Sequence, residues 1–195
     1  MHLIGRITLL QIQRASLKAG ERPHHYYDPA PLLELPSLRL TPDGVTGQPA
    51  GGDTIVDVHN AGHPQSKQVR GRNGISVGFT SHYQAMRERF GPHLTDGCAG
   101  ENIVVAAERV LELADLGSQL VIVSDDGRSA RLGALSVAAP CVEFSRFANF
   151  TPEPLSPDDL RATLQFLGNG MRGFYARLAD SEAEVRVGDR VYRLS

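Results

Sequence analysis

The sequence predicts a mainly β fold carrying two or three peripheral helices. Three observations lead there. Apolar residues fall in short runs rich in Val, Ile and Leu, bounded by turn residues. Gly and Pro number 20 and 12 among 195 residues, about one residue in six and above ordinary usage, so many short elements are favoured over a few long helices. Hydrophobic residues make up 41% and charged residues 22%, enough to bury a core and too apolar for a disordered chain.

Taken in order, residues 3–13 alternate around Leu3, Ile7, Leu9, Leu10 and Ile12 and read as a strand. Residues 14–36, with His24, His25, Tyr26 and Tyr27, read as a long loop excursion, a lid or a packed surface segment. Leu38 to Leu40 suggests a short strand, residues 44–52 (GVTGQPAGG) a turn-rich stretch, and Thr54 to His59 another strand. Residues 60–74 are polar and punctuated, hence a loop. Ile75 to Phe79 is a strand. Thr80 is placed to cap a helix running to Phe90, where Gly91-Pro92 ends it. Glu101 to Val105, Leu120 to Val123 and Ala130 to Ala138 are strands, with Asp126-Gly127 turning between the last two. Ser156-Pro157-Asp158-Asp159 combines a cap, a first-turn proline and two acids at the positive end of a helix dipole. That helix reaches Leu167, and Phe174 to Leu178 and Glu184 to Leu194 close the chain as strands. No repeat interrupts the pattern, so residues 1–195 read as one domain.

Charge excludes some functions. Twenty Lys and Arg against 22 Asp and Glu leave −2, so no nucleic-acid or anionic-membrane partner is expected. The longest apolar run, Ile103 to Ala107, is far too short to span a bilayer. Arg6 interrupts the N-terminal apolar stretch, which reads as a strand and not as a secretory leader. Two cysteines make no disulfide framework, so a cytoplasmic protein with reduced thiols is expected.

Four places could carry chemistry. Cys141 follows an apolar strand and Pro140; a thiol there is a nucleophile or a soft metal ligand, if something lowers its pKa, or an inert buried residue, and Arg146 is a candidate for that role by nearness in sequence alone. Because all seven histidines precede it, the papain-like order of cysteine before histidine is absent. Gly97-Cys98-Ala99-Gly100-Glu101-Asn102 either lets a backbone approach a ligand or forms a tight turn. The segment with His59, His63, Lys67, Arg70 and Arg72 suits a phosphate grip or a solvated basic loop. Neither G-x-x-x-x-G-K-[ST] nor G-x-G-x-x-G occurs, so the common nucleotide folds lack support.

In order and spacing these features resemble the MOSC domain family, named for the C-terminal domain of molybdenum cofactor sulfurases. The blocks are Gly44-Val45-Thr46-Gly47 before Asp57-Val58-His59; Gly100-Glu101-Asn102-Ile103, similar to the family's G-E-N-[LI]; Leu116 to Leu120 followed by Pro140-Cys141; and Gly170 to Tyr175 followed by Val187 to Val191. The match is best over residues 40–195. The chain departs from the family at Gly47-Gln48, where many members carry Gly-Asp, and at His59 to His63, where many carry His-His-Gly-Gly.

The resemblance implies a closed β-barrel of the pyruvate-kinase-barrel type. It also implies a stand-alone protein binding molybdenum cofactor (molybdopterin), with Cys141 as catalytic residue and molybdenum ligand. Glu101 and Asn102 would shape the pocket, Lys67, Arg70 and Arg72 would meet the cofactor phosphate, and His59 and Arg146 would complete the binding set. The implied activity is reduction of N-hydroxylated small-molecule substrates or sulfur handling, with an electron-donor or sulfur-donor protein as partner. A non-catalytic persulfide carrier or a ligand-free interaction module is the alternative. No pyridoxal-phosphate domain is recognisable in the sequence.

Overall fold

The computed structural model describes residues 1–21, 23–67 and 73–194. Its strands are β1 (His2–Gln13), β2 (Lys18–Ala19), β3 (Tyr26–Tyr27), β4 (Leu32–Glu34), β5 (Ser37–Thr41), β6 (Gly44–Gly47), β7 (Ile55–Val56), β8 (Ile75–Phe79), β9 (Ile103–Val105), β10 (Gln119–Val123), β11 (Ser129–Val137), β12 (Phe174–Leu178), β13 (Ala183–Arg186) and β14 (Arg190–Leu194). The helices are α1 (Thr80–Phe90), α2 (Val142–Ala148) and α3 (Pro157–Leu167), with one 3-10 turn at Leu113–Leu116.

Seven strands close a barrel in the order β14-β10-β11-β12-β8-β9-β1, and β1 pairs back onto β14. The length of β1 makes this closure possible. Its first half pairs with β14, from His2 opposite Arg193 to Arg6 opposite Arg190, and its middle pairs with β9, from Ile7 opposite Val105 to Leu10 opposite Ile103. Its end takes β4 as a further neighbour. A second sheet, β13-β5-β6-β7, packs beside the barrel. Among the described strands only β8 and β9 pair in parallel, joined through α1, because a parallel pair needs a crossover and cannot be a hairpin.

Alternation along the strands fills the barrel with Ile7, Leu10, Val77, Phe79, Ile103, Leu120, Leu132 and Phe174, all essentially inaccessible. A second apolar cluster lies outside it. There Tyr83 and Met86 of α1, Phe144 and Ala148 of α2 and Leu167 of α3 meet Leu17 and Tyr27 from the excursion after β1. Leu17, Tyr27 and Ala99 of this second cluster form part of the wall of the site described below.

The barrel and the three helices agree with the expected fold class, and several details correct the element boundaries. Gly44–Gly47 is strand, not turn: Val45 is fully buried and pairs with Leu40. Only Ile55–Val56 of the expected 54–59 strand is extended in a ladder, because Asp57 leaves it to serve side-chain bonds. Thr80 is the first residue of α1 and not its cap; its hydroxyl accepts from Ala107 N instead. The excursion is shorter than expected, since Leu32–Glu34 joins β1 as a strand and 14–31 carries the small β2–β3 hairpin. The closing strand is two strands, β13 and β14, turned at Gly188, whose φ is +96°. Ser156 caps α3 as expected, accepting from Asp159 N.

Candidate functional site

Five segments converge on an open cavity of about 600 Å³, which β1's end, the 14–31 strap, the segment after β7, the Ala99–Glu101 turn and the Ala138–Cys141 segment enclose. Of the residues singled out from sequence, Cys141, Glu101, His59 and Lys67 line it. Arg70 and Arg72 lie outside the described residues. Asn102 and Arg146 are not among its lining residues.

Cys141 stands where β11 has ended and α2 begins, in the extended conformation of a helix N-cap. Pro140 cannot donate to a ladder, so the strand stops and the chain turns into the helix. The thiol is partly exposed, whereas Cys98 is buried and its thiol is pushed up by desolvation, then by the charge of Glu101. Cys98 therefore lacks the thiolate character that nucleophilic or metal chemistry needs.

Arg172, which the sequence reading left without a role, is the charged centre of the cavity. Its Nη2 donates to Ala99 O at 2.7 Å and its Nη1 lies 4.0 Å from Cys141 Sγ. The guanidinium sits 4.6 Å from the centre of the Phe144 ring, a cation–π contact. Burial opposes its charge, but Tyr27, Cys141 and Glu101 around it hold its pKa above the ordinary arginine value. Its Nε has no hydrogen-bond partner among the described residues. The signal was a lone arginine between Met171 and Gly173, which has no periodicity to betray it.

Glu101 is 3% exposed. The Tyr83 hydroxyl donates to its Oε2 while accepting from Ala99 N. Oε1 has no partner, and no cation lies within ion-pair distance of the carboxyl among the described residues. Desolvation raises its pKa above the usual carboxylate range, partly offset by the Tyr83 bond. Two glycines make room for it. A Cβ on Gly78 would lie 2.7 Å from Oε1; one on Gly173, whose φ is +89°, would lie 2.6 Å from Val77 O and 3.0 Å from Glu101 Cγ.

His59 is held from below. Asp57 is fully buried; its Oδ1 accepts from His59 N at 2.8 Å and faces His59 Nδ1 at 3.2 Å, while its Oδ2 accepts from Gln13 N at 2.7 Å and Asn102 Nδ2 at 2.9 Å. Asn102 is a frame residue: its Oδ1 accepts from Ser76 N and Oγ, tying β8 to the same hub. Arg146, in the last turn of α2, does not line the cavity, and its buried Nε has no hydrogen-bond partner among the described residues.

Lys18, Lys67 and Arg172 give the cavity a positive lining, with Glu101 as its buried acid. Among the described residues no cluster of three His, Cys, Asp or Glu could hold a metal ion by itself. A metal seated at Cys141 would have to bring most of its own ligands.

The fold has solved counterparts. The YuaD protein from Bacillus subtilis superposes with a TM-score of 0.62 at 14% identity, covering 97% of this chain and 94% of that one. YiiM from Geobacillus stearothermophilus gives 0.52 at 15% identity, over 100% of this chain and 75% of that one. At such identities the likeness concerns the fold alone. No curated protein matches the chain. The model of the MOSC domain family, however, matches residues 65–192, a span that includes Cys141, Glu101 and Arg172. With the barrel and the Pro140-Cys141 junction both in place, the chain belongs to the MOSC domain family.

Proposed function

We propose that this chain binds molybdenum cofactor in the cavity, with Cys141 as the protein ligand to the metal, and acts in reduction of small N-hydroxylated compounds or in sulfur handling. The observation that carries the reading is the partly exposed Cys141 thiol on a cavity of about 600 Å³, with the Arg172 guanidinium 4.0 Å from its sulfur. That volume falls in the range of small-molecule and cofactor sites, roughly 300–1,000 Å³.

The residues fit such a group. One soft thiolate and no protein cluster of ligands suits a metal already chelated by its own dithiolene. Lys18, Lys67 and Arg172 suit a phosphate-bearing ligand. Bound there, the group would supply two-electron transfer at the metal. The chain's own part is to hold the Cys141 sulfur on the cavity, to balance its charge with Arg172, and to keep the Glu101 carboxyl packed against Gly78 and Gly173.

Expression with molybdate in a host that makes the pterin tests this. Molybdenum and oxidised-pterin fluorescence are expected to copurify with the wild type and with Cys98→Ser, and to be lost from Cys141→Ser. Equal absence from all three would sink the reading. Persulfide on Cys141 without metal would place the chain in sulfur transfer instead.

A further inference from the structure

The Asp57–His59 pair is among the most fully organised side-chain arrangements in the molecule. Asp57 has no exposure and takes four donors: two backbone amides, the Asn102 amide and the His59 ring. A carboxylate is an acceptor only, so the hydrogen between it and the imidazole belongs to Nδ1. The Nε2 lone pair is thereby left unprotonated in the neutral ring. No described residue bonds to Nε2, and the side chain is 29% exposed on the cavity wall. A buried carboxylate that fixes the tautomer of a half-open histidine is the arrangement that general acid–base catalysis requires.

We propose that His59 Nε2 exchanges protons with a ligand oxygen in this cavity, that Asp57 is its positioning residue, and that Asn102 holds Asp57 in place. The inference rests on the cavity being a ligand site and needs no metal. In donation the Nε2–H bond breaks and its electron pair stays on the ring. An O–H bond forms on the ligand, and the neutral imidazole takes a proton back from solvent at the open mouth. In acceptance the same step runs in reverse. Asp57 keeps its charge throughout. The other charged or titratable groups on the wall are Lys18, Tyr27, Lys67, Glu101, Cys141, Arg172 and Tyr175.

Histidine-labelled protein, free of metal and pterin, tests this by nitrogen NMR across roughly pH 5 to 9, where imidazole titrates. Free imidazole side chains favour the Nε2–H tautomer. His59, assigned by loss of its signal in His59→Gln, is expected to show Nδ1–H as the major neutral form, with Nε2 taking up the titrating proton. Asp57→Asn is expected to move the majority to Nε2–H. If that variant does not fold, Asn102→Ser, which removes one of the four donors, is expected to shift the ratio in the same direction. In parallel, the peptide-mapped rate of His59 modification by diethyl pyrocarbonate is expected to follow the same titration and to fall at least fivefold in Asp57→Asn. A wild-type His59 that is mainly Nε2–H, that does not titrate, or that does not react overturns the proposal. Because these readouts use unloaded protein, loss of molybdenum retention alone would sink the cofactor reading and leave this one standing.

Discussion

The side-chain amide of Asn102 donates to Asp57 Oδ2 across 2.9 Å, linking the residue just before β9 to the segment after β7. Its oxygen meanwhile takes both the amide and the hydroxyl of Ser76 in β8, and its own backbone N–H returns to that hydroxyl. Gln11 and Gln13 of β1 complete the junction, Gln11 through its carbonyl at 3.3 Å and Gln13 through its amide to Asp57. Two adjacent residues thus divide the work: Glu101 faces the cavity and Asn102 braces the wall behind His59.

Asn102→Ala should therefore behave as a multiple hydrogen-bond deletion in a dry junction. It strands the buried Ser76 amide and removes one donor from a buried carboxylate, at about 1–3 kcal/mol for each group left unsatisfied. A loss of roughly 3 kcal/mol is expected, about 6–12 °C in Tm for a chain of this size. Thermal unfolding followed by calorimetry checks it. A drop under about 1 kcal/mol would mean that water replaces the amide freely.

Glu101→Gln should reveal the buried carboxyl through pH. Burial raises its folded-state pKa, while in the unfolded chain it titrates at the ordinary carboxylate value. Between those two values the folded state binds more protons, so its contribution is complete below the ordinary value and is lost as pH rises through the folded one. Urea unfolding at a series of pH values should show wild type losing stability relative to Glu101→Gln across that window. The absolute gap includes a baseline cost, since the new amide N–H₂ meets no acceptor between Gly78 and Gly173. Parallel curves over the whole range would disprove the raised pKa.

The two glycines beside that carboxyl should respond differently. Gly173→Ala forces a non-glycine residue to φ +89° and drives its Cβ against the Val77 carbonyl, which is backbone and cannot swing away. About 3 kcal/mol or more of destabilisation is expected. Gly78→Ala instead meets the Glu101 side chain at 2.7 Å. Adding Glu101→Ala should relieve Gly78→Ala by about 1 kcal/mol or more in a double-mutant cycle and leave most of the Gly173→Ala cost in place. Equal relief of both would contradict the assigned contacts.

The barrel could be read from sequence because its strands fall in short apolar, β-branched runs bounded by turn residues such as Asp126-Gly127. What could not be read was local weakness rescued by distant packing. Helix α2 is seven residues long and begins at Cys141 with no side-chain cap, so nothing local announces it; Phe144 and Ala148 hold it against Tyr27 and its neighbours. Glycine at both ends of GVTG suggested a turn, yet burial of Val45 makes it a strand. At the site, Cys141 and Glu101 stood in recognisable blocks. Asp57, His59 and Asn102 stood in such blocks too, but their joint hub could not be read, because residues 11, 13, 57, 76 and 102 meet only after the barrel closes.

The 14–31 strap offers the sharpest contrast between a polar latch and an apolar anchor. Lys18 Nζ lies 2.9 Å from Glu143 Oε2, with His25 Nδ1 at 3.9 Å from the other oxygen, so the strap is clipped to α2 two residues beyond Cys141. Burial works against the Glu143 charge, but the Lys18 bond, with the local backbone amide and Cys141, holds its pKa below the usual range. The clip is therefore present above the ordinary carboxylate value and is lost as pH falls through the depressed one. It remains a half-exposed ion pair worth about 0–1 kcal/mol. Tyr27 is the anchor: its ring packs edge-on to Phe144 at 5.0 Å, and its buried hydroxyl donates to Cys98 O at 2.8 Å. Truncating a buried aromatic costs about 3–5 kcal/mol. In hydrogen exchange of the strap amides, Lys18→Ala should speed opening by no more than about fivefold, and Tyr27→Ala by about 100-fold or more, each following from its energy at about 1.4 kcal/mol per decade. Comparable effects from the two variants would show that the latch, and not the ring, holds this wall of the cavity closed.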